Sequence, residues 1–150
     1  MVYLVQHGQA KPADEDPQRP LTDRGADDVT RVAHWAVDRF GVRPSRIIHS
    51  GKTRARQTAQ TWARLVGVDA NAGDSLAPND DPTTWARRLA EQTDDVMVVG
   101  HLPHLAKLAS LLLAGDPERQ LIGFQQGGLV ALEHTEIGWV LALLLPPSTG

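Results

Sequence analysis

Three short polar segments in this chain each follow an apolar run: Gln6-His7-Gly8, His49-Ser50-Gly51 and Gly100-His101. Histidine at the end of a rigid strand has a definite capability. A neutral imidazole is nucleophilic near neutral pH and can attack phosphorus, provided that its other ring nitrogen donates to a fixed acceptor. A backbone carbonyl near Gly8 would serve His7 in that way. Phosphoryl transfer also needs forked cationic donors around three equatorial oxygens, and arginine supplies that fork. Arg19, Arg54 and Arg56 are the candidates, and His101 is suited to donate to the group in transit. Helix N-termini after the second and third segments would add amide donors and a positive dipole end.

Other chemistries lack support in the sequence. It has no G-x-x-x-x-G-K-[ST] loop, no G-x-G-x-x-G turn and no G-x-S-x-G elbow. The six histidines, at positions 7, 34, 49, 101, 104 and 134, form no H-E-x-x-H pair, and Pro103 interrupts His101 and His104. Neither a metal site nor a cofactor is expected. The chain has no cysteine, which excludes disulfides, zinc–thiolate sites and a thiol nucleophile. His34, His104 and His134 are expected to be structural or solvent-facing, and Arg56 to lie on the surface; His49 directly precedes the candidate pocket.

The elements that must position these residues follow from periodicity. Val2 to Val5 predicts a buried strand, Ile47 and Ile48 a second, and Val96 to Val99 a third that is covered on both faces. Thr22 suits the N-cap of a helix running to about Phe40, with Val29, Val32, Ala33, Ala36 and Phe40 on its apolar side and Gly41 closing it. A second helix fits Lys52 to Val66, stopped by Gly67. Asn79 to Pro82 predicts a turn into a helix carrying Trp85 and Leu89. An apolar helix after Pro103 runs through Leu113 and ends at Gly115-Asp116-Pro117. Gly128 to Glu133 and Trp139 to Leu145 predict a hairpin turning around Glu136 to Gly138. The alternation predicts an α/β fold, a three-layer α/β/α sandwich whose sheet is mainly parallel with an antiparallel edge and no cap domain. In such sheets ligands bind outside the carboxyl ends of the strands, where the three polar segments fall. Lys11 to Pro20, rich in proline and acid, is a long loop of the kind that often carries function.

Composition sets the frame. At 150 residues the chain predicts one domain, spanning 1–150. An apolar fraction of 41% with 22% charged residues is that of a soluble globular protein. Fifteen basic against 18 acidic residues leave a net charge of −3, which argues against nucleic acid and acidic membranes as partners. No basic run precedes the N-terminal apolar segment, and the apolar stretch Trp139 to Leu145 is far shorter than the ~20 residues of a membrane span. A cytoplasmic location is the expectation.

Taken in order, strand–Gln6-His7-Gly8, Ser50-x-x-x-Arg54-Ala-x-Gln57-Thr58 and strand–Gly100-His101-Leu-Pro resemble the histidine phosphatase superfamily, the phosphoglycerate mutase-like proteins. The short chain, Arg19-Pro20-Leu21-Thr22 and Leu76-Ala77-Pro78 resemble its small SixA-type phosphohistidine phosphatases, and the likeness covers nearly the whole chain. That resemblance implies that His7 is the nucleophile that becomes transiently phosphorylated. It implies that Arg54 clamps the phosphate, that His101 is a second phosphate-contacting histidine, and that Arg19 is a further clamp from the long loop. Gln6, Gly8 and Ser50 would line the phosphate site, and Thr22 would cap the first helix. The implied activity is metal-independent removal of phosphate from a protein histidine, with a phosphohistidine-bearing protein or a small phosphorylated substrate as partner.

One position departs from the pattern. Gln6 stands where the family has arginine, and losing one such transition-state donor commonly costs ~10²–10³ in kcat. Arg19, Arg56 or Lys52 would have to compensate. A leaving-group acid is also unassigned, with Asp16, Asp80 and Asp81 as loop candidates. A phosphohistidine substrate eases that demand, because protonated imidazole leaves readily. Two alternatives stand beside this reading: a small-molecule phosphomonoesterase of the same superfamily, and a catalytically weak module that binds phosphate or a phosphoprotein.

Overall fold

The computed structural model describes residues 1–147. Ten elements alternate along the chain: β1 (Val2–Gln6), α1 (Asp23–Phe40), β2 (Arg46–His49), α2 (Thr53–Val66), β3 (Ala70–Ala72), α3 (Thr83–Ala90), β4 (Val96–Gly100), α4 (His104–Ala114), β5 (Leu129–Thr135) and β6 (Gly138–Leu145). They build one six-stranded sheet in the order β3-β2-β4-β1-β5-β6. The first four strands of that order are mutually parallel, whereas β5 runs antiparallel to β1 and β6 antiparallel to β5. This is the α/β architecture that the alternation of periods predicts.

Both faces of the sheet are covered, and side chains along each strand divide between them, because successive residues of a strand point to opposite sides. Tyr3, Val5, Ile47, Met97 and Val99 pack with Val29, Val32, Ala33 and Trp62 of α1 and α2. Val2, Leu4, Val96 and Val98 pack with Trp85, Leu89, Leu105 and Leu108 of α3 and α4. A strand buried on both sides has no polar positions to spare, which is why β1 and β4 read as unbroken apolar runs.

The helix boundaries follow local chemistry. Thr22 caps α1, its Oγ accepting from the Gly25 N–H at 3.0 Å. Gly41 ends the helix in the left-handed region at φ 65°, a conformation that glycine adopts without a Cβ clash, and its N–H returns to Ala36 and Val37. Gly67 and Gly115 close α2 and α4 in the same way.

Three features differ from expectation. The edge strand β3 was not expected, since Ala70-Asn71-Ala72 carries no β-branched or aromatic residue. Its strand conformation comes from the ladder with β2, extended by the Gly73 N–H donating to His49 at 2.8 Å. Phe40, expected on the apolar side of α1, is 50% exposed as the last residue of the helix, its ring set edge-to-face with Trp35. Finally, β1 and β4 each extend one residue further than the apolar run, which brings Gln6 into register with Gly100.

The Lys11 to Pro20 segment is zipped at its base. Ala10 and Leu21 form a bridge, the Lys11 N–H donates to Pro20 at 2.8 Å, and Thr22 donates to Gln9 at 3.0 Å. At its tip Asp16 organises a turn, accepting from the Gln18 N–H on its side chain and from the Arg19 N–H on its carbonyl. Among the described residues no helix is long and apolar enough to cross a membrane.

Candidate active site

The carboxyl ends of β1, β4 and β2 lie side by side, and the residues that follow them supply the histidine pair and its surroundings. His7 leaves β1 buried, 6% exposed, with its backbone N–H held by the Gly100 carbonyl at 3.1 Å. Its Nδ1 lies 2.7 Å from the Gly8 carbonyl oxygen. A carbonyl can only accept, so Nδ1 carries the proton and donates, leaving Nε2 with its lone pair. His101, after β4, is 1% exposed, and its ring centroid is 5.0 Å from that of His7 with the planes tilted by 50°. Its Nε2 shares a 2.6 Å hydrogen bond with the Ser50 Oγ, while its buried Nδ1 has no partner.

Tight backbone contact makes this possible at Gly8. A Cβ there would come within 2.9 Å of both the Gly25 carbonyl and the Val29 Cγ2, and one at Gly25 would meet the Gln9 oxygen at 2.1 Å. The two glycines let the end of β1 lie directly against the first turn of α1.

The electrostatics are those of a cationic cup around neutral imidazoles. Burial pushes the pKa of His7 below its ordinary value, the Gly8 hydrogen bond opposes this, and the nearby charges of Arg54 and Arg19 lower it further. His101 is pushed down to about 3, by burial first and then by His7, Arg54 and Lys52. Burial, then Arg19, also lowers the pKa of Arg54. The Arg54 Nε is buried without a partner, and so is the Gln6 Oε1. Two neighbouring guanidiniums, one with a buried and unpartnered N–H, make this a site suited to an oxyanion.

The structure thus brings His7, Gly8, Arg19, Ser50, Arg54 and His101 into one neighbourhood, with buried Gln6 joined to it through the backbone. Arg19 adopts the left-handed region at φ 49°, and its Nε donates to the Lys11 carbonyl at 3.1 Å. Arg56 is exposed and acts electrostatically on His49 rather than on the pair. His49 accepts from the Gly51 N–H at 3.0 Å, shaping the turn that presents Ser50. The three acid candidates are spent on turns: Asp16 as described, Asp80 accepting from the Ala77 N–H at 2.9 Å, and Asp81 from the Thr83 N–H at 2.9 Å. His104 is buried with neither ring nitrogen partnered.

Sequence reasoning gave no role to Gln57, yet its Oε1 accepts from the Leu21 N–H at 2.8 Å and moors the Arg19 loop to α2. A cavity of about 460 Å³ lies elsewhere, at the β2–β3 edge beside Arg46, Asp74, Trp85 and Arg88. Its two arginines are already paired, Arg88 with Asp74 at 2.7 and 3.0 Å and Arg46 with Asp94 at 3.2 Å.

The histidine environment has a consequence for pH. Burial depresses the pKa of His7, His49, His101 and His104, so the unfolded chain binds more protons than the folded one. Their contribution to stability is complete above the unfolded imidazole value of 6.5 and is lost as pH falls, over a window reaching to about 3 for His101. The urea midpoint is expected to drop between pH 7 and pH 5, before the carboxylates titrate. An unchanged midpoint would contradict the burial of neutral imidazoles.

No protein-family model and no curated protein matches the sequence. Solved structures match it along almost its full length. The protein histidine phosphatase SixA complexed with tungstate superposes with a TM-score of 0.85 at 24% identity, over 99% of this chain and 97% of that one. The alpha-ribazole phosphatase from Shigella flexneri superposes with a TM-score of 0.80 at 17% identity, over 97% and 96% of the two chains. At those identities the likeness is one of fold. A proposed phosphohistidine phosphatase SixA from Agrobacterium tumefaciens, with a TM-score of 0.77, is 31% identical over 97% of each chain. With that identity across the whole length and the three polar strand ends gathered around His7, the chain belongs to the SixA-type branch of the histidine phosphatase superfamily and is a phosphatase.

Proposed function

We propose that this phosphatase acts on phosphohistidine carried by a partner protein, through a covalent intermediate on His7 and without a metal. The Nε2 lone pair of His7 attacks phosphorus in line, and the N–P bond to the substrate imidazole breaks. That imidazole takes the electron pair of the cleaved bond and departs neutral, its proton staying on the ring nitrogen that was never bonded to phosphorus. Arg54 and Arg19 bear the charge on the equatorial oxygens, and Gly8 stabilises the imidazolium as it forms on His7. Water then attacks the phospho-His7 phosphorus, releasing inorganic phosphate and restoring the imidazole.

One observation carries the choice of substrate. Among the described residues, the charges acting on His7 and His101 are cationic or imidazole, and Asp16, Asp80 and Asp81 are tied into turns. An alkyl phosphate needs an acid to protonate its leaving oxygen, whereas a phosphohistidine does not. The likeness to proteins described as phosphohistidine phosphatases supports the same choice.

The test compares phosphate release, in the presence of a chelator, from a histidine-phosphorylated protein and from sugar and nucleotide monophosphates. A kcat/KM higher for the phosphohistidine protein supports the proposal, and the reverse order assigns a small-molecule phosphomonoesterase. In the same assay Gln6→Arg is expected to raise kcat by about tenfold or more, toward the ~10²–10³ that one added donor can supply. No gain would mean that Arg19 already fills the place of the missing cation.

A further inference from the structure

We infer that Thr58 is a positioning residue for the reaction: its hydroxyl holds the His7–Gly8 peptide, which is joined through the Gly8 Cα to the carbonyl that fixes the tautomer of His7, and it ties that peptide to the turn of α2 bearing Arg54. The inference rests on the reading of His7 as the nucleophile and names what keeps it in its reactive form.

Thr58 is fully buried. Its hydroxyl donates to the Arg54 carbonyl at 2.8 Å, the bond to the fourth preceding residue that threonine commonly makes within a helix. With its one proton committed there, the lone pairs of Oγ1 face away from the helix axis, and one accepts from the Gly8 N–H at 3.0 Å. The Gly8 carbonyl in turn accepts from the His7 Nδ1–H at 2.7 Å. Thr58 therefore anchors the chain on one side of the Gly8 Cα, the carbonyl that meets Nδ1 lies on the other, and the same hydroxyl joins this corner to the arginine-bearing turn.

The need for such a hold follows from Gly8 itself. The close approach of the Gly25 carbonyl and Val29 leaves no room for a Cβ, so the residue must be glycine. Glycine places the fewest restrictions on its own backbone, so anchoring the peptide on its N–H side limits where the carbonyl on its other side can point. If the His7–Gly8 peptide is released, the glycine is free to rotate, the carbonyl leaves Nδ1, the proton is free to move to Nε2, and the nucleophilic lone pair is lost.

The experiment compares wild type, Thr58→Val, which keeps the shape and removes the oxygen, and Thr58→Ser, which keeps the oxygen and removes a methyl. Turnover of phosphohistidine protein is measured with the ring-nitrogen NMR spectrum of His7, which reports its tautomer directly, and His7→Ala serves as control. In Thr58→Val, kcat is expected to fall by about tenfold to a hundredfold, short of the ~10⁴ that a wrong tautomer costs a catalytic triad. The Nδ1–H signal should weaken in parallel, while Thr58→Ser retains both. A Thr58→Val protein with a lower melting temperature but unchanged kcat and tautomer would reduce Thr58 to a packing role and overturn the inference. Should Thr58→Val not fold, Thr58→Cys takes its place under the same two criteria, because its sulfur is only a weak acceptor. Full activity in His7→Ala would overturn the nucleophile assignment instead, so the two failures are distinguishable.

Discussion

Replacing His7 with alanine is expected to lower phosphate release by ~10⁴-fold or more, the scale seen when a covalent nucleophile is deleted from a hydrolase. The expectation rests on what remains. Arg54 and Arg19 can still hold a phosphoryl group, but His101 is not prepared for attack: its Nε2 is engaged with Ser50, and its Nδ1 is enclosed. The variant should therefore bind substrate and leave it intact. A second readout makes the assignment specific. Wild type mixed with labelled phosphohistidine protein and quenched in alkali, which preserves the N–P bond, should carry label on the enzyme, and His7→Ala should carry none. Turnover near the wild-type rate in His7→Ala would remove the covalent mechanism altogether.

Arg54→Ala is expected to be the next most damaging change, lowering kcat/KM by ~10³-fold or more, as loss of a transition-state arginine does in phosphoryl transfer. The Arg54 Nε is buried without a protein partner, and Arg19 is close enough to depress the pKa of its guanidinium. Both facts describe a cation held ready for an anion. Arg54→Lys returns the charge without the planar fork, and is expected to recover only part of the loss. A thermal-shift titration separates binding from chemistry, since a ligand that binds only the folded state raises its melting temperature. Inorganic phosphate should stabilise wild type and have a much smaller effect on Arg54→Ala. Equal stabilisation of both would assign the clamp to Arg19 and leave Arg54 as a structural charge.

Much of this arrangement was legible in the sequence because it is local. Thr22 before an amphipathic run, Gly41, Gly67 and Gly115 after such runs, and unbroken apolar stretches ending in Gln6-His7-Gly8 and Gly100-His101 all act within a few residues of where they are read. The order of the polar strand ends also conveyed the site, because a parallel sheet delivers its carboxyl ends to one side. What stayed hidden depends on partners distant in sequence. Ala70-Asn71-Ala72 is a strand only because β2 offers it a ladder. Gln57 and Thr58 stand in a recognisable motif, but their acceptor roles exist only once Leu21 and Gly8 have been folded against α2. Asp16, Asp80 and Asp81 read equally well as acids or as turn formers, and only their backbone partners decide.

The place of β1 in the sheet bears on when during its synthesis the protein can become active. His7 follows β1, yet that strand pairs with neither β2 nor β3: its neighbours are Val96–Gly100 and Leu129–Thr135, both far later in the chain. Closing such long loops before any pairing energy is recovered makes this a late and comparatively slow event. Until β4 emerges, the backbone of His7 has no Gly100 carbonyl to hold it, and until β5 emerges one edge of β1 stays open. The nascent chain therefore carries an unformed pocket until β4 and β5 have emerged, and phosphatase activity should appear in one cooperative step with the completed sheet.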